Sequence, residues 1–558
     1  MPRPSRSIDD RAVAGPLMTV GYDAIVIGAG HNGLIAGAFL ARTGRRTVVL
    51  EARSKVGGAA DTSSPWPEHP DFRVSTYSYA MLMMPLAIIR ALDLERHGYR
   101  ASGFDLFYQA YPDGSSVKVY ANDAAKSRAS IARFSKRDAE TMGEWEAWLG
   151  GVAAVLGPLQ RAVPPRLGSL APGDLVETAR TAWKLRGLGV RGVADVTRLF
   201  TMSAIDLLDE WFESEQVKGM LALNSVIGTW AGPAEPGTAY VMLHHAIGDV
   251  AGEICGFSFP EGGMGAVSDA CRRAAEAFGA EVRVEARVGR ILTRDGRATG
   301  VALHTGEEIS APVVVTCIHP KIAFLELLER TELPADFVRD VERWRTRSGV
   351  VKVNCAISKL PSYRADPGSH LQEHHMASSA LGFSPAYIER AFQDAREGRG
   401  AEHPFCDGVI PTWGDRTMAP EGVHIMSMFA QWAPLSWAEE RHTDELEAFA
   451  DRVIDGYDQI APGFKGSVIA RQVVGPWDMQ EELGLVGGNI FHGELTPDQL
   501  FHMRPAPGYA DYRTPIRGLY HASSATHAGG GVSGIPAANC FRQIERDSRW
   551  RNAPRRLG

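Results

Sequence analysis

The sequence predicts an α/β molecule whose parallel sheet takes strands from both ends of the chain, with an α+β domain growing out between them. Three observations carry this. Residues 22–51 run from an apolar stretch through a glycine-rich turn and an Ala/Leu-rich stretch to a second apolar run ending in Glu51. Residues 518–543 hold a short apolar run, three consecutive glycines and a helix-like segment. The 558 residues exceed the size at which one hydrophobic core stops growing, so two closely connected domains are expected.

Tyr22–Ile27 (YDAIVI) suits a buried parallel strand, and it leads straight into Gly28-Ala29-Gly30-His31-Asn32-Gly33. In GxGxxG the first glycine turns the chain, the second lets backbone approach a pyrophosphate, and the third lets helix and strand pack closely. A helix is expected over Leu34–Thr43, stopped at Gly44, and a second strand over Thr47–Leu50. Glu51 then stands where a carboxylate accepts hydrogen bonds from a ribose diol. Six letters alone also describe an ordinary packing turn; the strand before, the helix after and the acid at the right distance favour a Rossmann-type dinucleotide site. His31 and Asn32 are read as lining its phosphate turn, with His31 a cofactor neighbour rather than a catalyst. Beyond Glu51, Ala52 and Arg53 lead to a second glycine pair, Gly57-Gly58-Ala59, which brings further backbone N–H groups and cationic charge toward phosphate.

GxGxxG, the acid and the following xxGG together resemble the flavin-binding start of the amine oxidase and phytoene desaturase superfamily, which implies FAD. At the far end, Gly518–Gln543 (GLYHASSATHAGGGVSGIPAANCFRQ) reads as a strand, the turn Gly529-Gly530-Gly531-Val532, and a helix from about Pro536. It resembles the C-terminal flavin motif of phytoene desaturase-like proteins. Asp415–Pro434 and Glu482–Pro505 look like the pyridine nucleotide-disulfide oxidoreductase domain-containing protein 2 branch, and the resemblance runs from about Tyr22 to about Glu545. One departure concerns Ala522-Ser523-Ser524-Ala525 and His527-Ala528, where relatives usually show a Cys-Gly-Ser-Gly-like stretch and His-Pro. The implied fold is a Rossmann-type FAD-binding domain built from discontinuous segments with an α+β substrate domain. Its expected parts are a tail over 1–20, FAD-binding segments over 21–75, 241–330 and 501–550, a mainly helical substrate region over 76–240 and a substrate-domain sheet over 331–500.

Between the flavin segments, Glu281–Leu292 alternates like a strand, and Gly300–His304 with Glu308–Thr316 suggests a hairpin followed by a buried strand. By resemblance, the backbone of Val288 touches the adenine; the plain alternative is an ordinary sheet residue. Helical periodicity dominates Asp123–Met220, with a capped start at Ser135. Val350–Ile357 and His424–Gln431 alternate apolar and polar residues and are expected in a sheet that roofs the flavin.

Composition narrows the function. A net charge of −7 with no long Lys/Arg run leaves no nucleic-acid footprint. Six scattered cysteines form no CxxC pair or zinc spacing, so neither a dithiol mechanism nor a metal is expected. Gly262-Gly263-Met264-Gly265 lacks a suitable preceding strand, and in the family it resembles this stretch introduces a helix, so a tightly bound NAD(P)H site is not expected. The first twenty residues lack an apolar core like that of a secretory signal, Met18 is a second candidate start, and no apolar run reaches membrane-spanning length, so a cytoplasmic protein is expected. Arg161–Leu199 mixes seven cations with Leu, Val and Trp183, which fits either a solvated helical face or peripheral contact with anionic lipid.

In such flavin oxidations the protein mainly aligns a C–H bond and excludes water. His492, His527 and Asn489 are the first residues to consider for tuning charge or taking a proton, each histidine being equally suited to a structural role. Arg504 is read either as a clamp on a substrate carboxylate or as a salt-bridge anchor. The leading reading is dehydrogenation of a hydrophobic small molecule with quinone or oxygen as electron acceptor. Alternatives are isomerisation or saturation of a polyene by reduced flavin, amine oxidation, and a non-catalytic flavoprotein scaffold.

Overall fold

The computed structural model describes residues 20–103, 105–250 and 257–552. Met18, Cys255 and all but the last residue of the expected tail lie outside them. Val20 itself is structured: Val20–Gly21 pairs in parallel with residues 309–310.

Five parallel strands form the nucleotide-domain sheet: β1 (Ala24–Ile27), β2 (Thr47–Leu50), β3 (Glu281–Arg283), β4 (Val314–Thr316) and β5 (Leu519–His521). Their spatial order is β3-β2-β1-β4-β5, so the N-terminal, middle and C-terminal segments meet in one sheet. β1, β2, β4 and β5 are buried along their whole length, which is why they read as continuous apolar runs. Helix α1 (His31–Arg42) packs against α2 (Met264–Ala277) and α3 (Ile535–Asn552) on one face. The other face carries the strands Val288–Arg294, Arg297–Leu303 and Glu308–Ser310.

Two local expectations change. α1 begins at His31, three residues before the expected Leu34, because Gly30 is its N-cap and the Gly30 carbonyl already accepts from Leu34 N at 3.0 Å. The expected single strand over Glu281–Leu292 is two: the chain crosses the end of β2, where Glu285 N donates to Arg53 O and Ala286 N to Glu51 O, and Val288 then opens a different sheet.

The second domain is built on a seven-stranded sheet in the order 468–474, 350–357, 424–431, 405–409, 378–381, 106–110, 116–120, antiparallel except between 378–381 and 106–110. Val350–Ile357 and His424–Gln431 appear with the expected bounds, but both of their faces are covered and only His424 is partly exposed. Lys352, Asn354 and Ser427 are therefore buried, which the alternating pattern did not foretell. Helices pack beside this sheet. Lys136–Gln160 starts where Ser135 Oγ accepts from Asp138 N at 3.0 Å. Thr238–Val250 packs against it, so the second nucleotide-domain segment is entered near Ser258 rather than at 241. Among the described residues, no helix is long and apolar enough to cross a membrane.

Candidate functional site

The site begins at the carboxyl ends of β1 and β2. Gly28 has φ +93°, the left-handed region open to glycine. A Cβ on Gly33 would lie 1.8 Å from the Gly28 carbonyl, so helix and turn touch there. Gly30 differs: its φ is −66°, and a Cβ would meet nothing nearer than the Gly57 carbonyl at 4.0 Å. This open space is a cradle at a helix N-terminus, where backbone N–H groups attract phosphate. Gly57 N donates to Ala29 O at 2.8 Å, joining the second glycine pair to the first, and Ala59 O accepts from Ser78 N at 3.1 Å.

Three buried polar atoms around the cradle have no protein partner: His31 Nε2, Asn32 Oδ1 and Arg53 Nη1. Open space beside the unmatched Arg53 donor and the His31 ring nitrogen suits the pyrophosphate of a dinucleotide, and the Asn32 carbonyl oxygen, an acceptor, is left for a donor such as a ligand hydroxyl. Glu51 braces the turn, its carboxylate accepting from Ala29 N at 2.8 Å and Arg53 N at 3.0 Å. Ala52, between Glu51 and Arg53, is exposed to solvent. Val288 lies two residues beyond Ala286, whose N–H is bonded to Glu51 O, and so sits beside the end of β2.

The C-terminal glycine turn closes the other side, with Asn32 Nδ2 reaching Ser524 Oγ at 3.5 Å. The side chains that meet Gly529, Gly530 and Gly531 are Leu495 with His244, Phe491, and Met83. Val532, at φ +52°, turns the chain toward α3. Around them stands a shell of rings: Tyr240 lies 4.4 Å from Phe200, Phe501 lies 5.7 Å from His527, and His245 lies 6.2 Å from Phe491, centroid to centroid.

The first-choice catalytic residues take different places. Asn489 is engaged by its own loop: Nδ2 donates to Arg347 O at 2.9 Å, and Oδ1 accepts from Phe491 N and Gly493 N, each at 2.9 Å. It holds Phe491 in place instead of facing a reactant. His527 is tied through Nε2 to Leu159 O at 3.0 Å, at the end of the long helix. His492, at φ +58°, has a buried Nδ1 without a partner, and its ring lies 5.4 Å from that of His319. Arg504 proves to be neither a carboxylate clamp nor a salt-bridge anchor. Its guanidinium donates to six backbone carbonyls, those of Phe491, Gly493, Glu494, Gln499, Ser524 and Thr526, at 2.8–3.3 Å. It fastens the 491–499 loop to the C-terminal flavin segment.

Burial holds the imidazoles near the site uncharged: His31 and His527 are pushed down to about 4, His492 and His521 to about 3, and His244 and His319 well below the ordinary value. The unfolded chain binds protons on these residues from about pH 6.5 downward and the native chain does not, so stability falls as pH falls through that window. Thermal scans are expected to show a midpoint dropping steadily from pH 7 to pH 4.5, each fully buried histidine contributing about 2 kcal/mol by pH 5. A flat midpoint would show that these rings are solvated.

Lys352 is the residue the sequence did not single out. It is fully buried, its Nζ donates to Asn354 Oδ1 at 2.6 Å and to Ser427 Oγ, and it lies 5.5 Å from the centre of the Tyr79 ring. Tyr79 follows Ser78, whose N–H is bonded to Ala59 O, so this lysine's ring neighbour leads directly into the loop that carries the second glycine pair. Tyr79 OH donates to Asp407 Oδ2 at 2.6 Å. Burial pushes the ammonium down to about 7, leaving it able to gain or lose a proton near neutrality, and pushes the Asp407 carboxyl up. A signal was present: Lys352 and Asn354, two apart in an apolar strand, share one face.

Residues 26–84 match the NAD(P)-binding Rossmann-like domain, and residues 205–379 match the family described as flavin containing amine oxidoreductase. Pyridine nucleotide-disulfide oxidoreductase domain-containing protein 2 of Rattus norvegicus is 37% identical over 546 residues, 94% of either chain. A limonene dehydrogenase subunit of Castellaniella defragrans is 26% identical, again over 94% of either chain. Putrescine oxidase, solved in its wild-type form bound to putrescine, shares the fold with a TM-score of 0.61 at 16% identity, over 95% of this chain and 100% of its own.

Proposed function

Since this chain belongs to the pyridine nucleotide-disulfide oxidoreductase domain-containing protein 2 family of flavin oxidoreductases, we propose that it dehydrogenates an apolar, uncharged small molecule to form a C=C bond. Its cofactor is FAD. The residues assigned to hold it are the backbone of Gly28, Gly30 and Gly33, the side chains of His31, Asn32, Glu51 and Arg53, the Gly57-Gly58-Ala59 loop, the Val288 backbone, and Gly529–Gly531 with Val532. Bound FAD supplies a two-electron acceptor for hydride, and quinone or oxygen is assigned as the final acceptor.

The observation that carries this reading is the wall of the C-terminal turn. Leu495, Phe491 and Met83 are apolar and His244 is kept neutral, so nothing there compensates an ammonium or a carboxylate. In this reading the ring shell keeps water out and confines a C–H bond. Desaturation removes a hydride from one carbon and a proton from its neighbour, and Lys352 Nζ, uncharged above about pH 7, is assigned as proton acceptor. The limonene dehydrogenase relative, similar over most of the chain, is named for a hydrocarbon, which supports an apolar donor. Amine oxidation is the second reading, favoured by the family matched over residues 205–379.

The test is anaerobic bleaching of the yellow protein. Bleaching by terpenes or polyenes but not by diamines is expected; bleaching by diamines alone would establish the second reading. Turnover that needs prior reduction would identify an isomerase, and no bleaching by any donor would identify a scaffold. With a bleaching donor in hand, the rate is expected to rise with pH through about 7. Lys352→Met should lose that rise and slow bleaching about 100-fold, the lower end of general-base effects.

A further inference from the structure

We propose that the paired helices Pro172–Leu185 and Gly189–Thr201, with the loop before them, form a face that seats on an anionic lipid bilayer. Ten large hydrophobic side chains are exposed among the described residues, and seven of them fall between 167 and 193: Leu167, Leu170, Leu175, Val176, Trp183, Val190 and Val193. Single exposed apolar residues are ordinary; seven collected on one short segment are not. Leu170 is 85% exposed, Val190 89% and Trp183 65%.

The helices are built for this exposure. Leu175, Ala179 and Trp183 stand four residues apart, so they share one face of the first helix. That helix has no buried residue, and the second buries only Leu199. Polar contacts brace the segment instead: Arg546 pairs with Glu177 at 3.4 Å, Arg513 with Asp174 at 3.7 Å, and Asn539 Nδ2 donates to Ala162 O at 3.1 Å. A helix held by its polar side leaves its apolar side for another medium.

Charge selects that medium. Residues 161–198 carry seven Lys or Arg against three Asp or Glu, whereas the whole chain carries −7. Lys184, Arg186 and Arg191 are exposed beside the apolar face, and the Arg186 guanidinium lies 3.5 Å from the centre of the Trp183 ring. A tryptophan capped by a cation, above aliphatic side chains and flanked by further cations, matches the headgroup layer of an anionic membrane. The face adjoins the ring shell through Phe200 of its second helix, which stacks on Tyr240, so a lipid-dissolved donor would arrive beside that shell.

The experiment is co-sedimentation of the full-length, FAD-loaded protein with phosphatidylcholine vesicles, with and without one-third phosphatidylglycerol. Binding to the anionic vesicles alone is expected. Each lysine or arginine near the surface is worth about fivefold in partitioning, so K184E/R186E/R191E should weaken binding about 100-fold. L170E/W183E/V190E should abolish it, both variants keeping their circular dichroism and bound flavin. Failure to bind anionic vesicles, or binding indifferent to both variants, would overturn the proposal. So would a concentration-dependent dimer dissolved by L170E/W183E/V190E, because a second copy would then cover the face. Vesicle binding does not depend on turnover, so this result and the donor screen stand or fall separately.

Discussion

Gly30→Leu is expected to give a folded but colourless protein. Gly30 has φ −66°, which any residue adopts, and no protein atom lies closer than 4.0 Å to the added Cβ. The new side chain costs the fold little and fills the phosphate cradle. Lost charge-assisted bonds and overpacking together amount to about 4 kcal/mol, or about a 1,000-fold weaker hold on FAD. Circular dichroism and an unchanged apoprotein melting midpoint would report the fold, and visible absorbance the flavin. Gly33→Ala is the contrasting control: its methyl group would sit 1.8 Å from the Gly28 carbonyl, so the helix must move and the fold itself should suffer. A yellow Gly30→Leu protein would refute the assignment of the cradle.

Arg504→Leu should have the largest effect on stability. Six carbonyls of two separate segments converge on this guanidinium, which is 1% exposed. Burial lowers it to about 9, which still leaves it cationic at neutral pH. Removing it strands buried acceptors at about 1–3 kcal/mol each, partly relieved by water, for a net loss of about 4 kcal/mol. The 491–499 loop would then loosen from Ser524 and Thr526, and FAD should be released at a lower temperature, seen as a rise in flavin fluorescence. Arg504→Lys should recover less than half of the loss, because a single ammonium cannot fan out to six acceptors. An unchanged midpoint together with lost turnover on a carboxylate donor would restore the substrate-clamp role.

The two ends of the nucleotide domain were legible because their signals are local. Gly28-Ala29-Gly30-His31-Asn32-Gly33 and Thr47–Leu50 lie within thirty residues of one another, and the turn, the buried strand and the acid each leave a mark in composition. Helix boundaries were read less well: α1 starts at His31 because a carbonyl inside the glycine turn serves as its first acceptor, a matter of geometry within the motif. The roof strands Val350–Ile357 and His424–Gln431 were legible from their alternation, but their burial on both faces was not.

Side-chain roles followed the same division. Asn489, His527 and Arg504 looked chemical in the sequence, since polar residues near a glycine motif invite that reading. Only the folded chain shows that each is bonded to backbone carbonyls or amides, Arg504 tying two neighbouring segments together, Asn489 reaching Arg347 and His527 meeting Leu159 across 368 positions. Lys352 went the other way: it looked like the polar face of a strand and turned out to be buried, with a proton it can release near neutral pH.

The sequence by itself determined the βαβ unit, the two glycine turns and the strands Val350–Ile357 and His424–Gln431, because each is encoded by short-range pattern and backbone sterics, while the discontinuous domain followed from the family resemblance. The tertiary structure alone decided which polar groups remain free to act, and which apolar helix face stays uncovered. Partnership and burial arise from side chains and backbone groups that meet only once segments, near or distant in sequence, are folded together, and no local pattern records them.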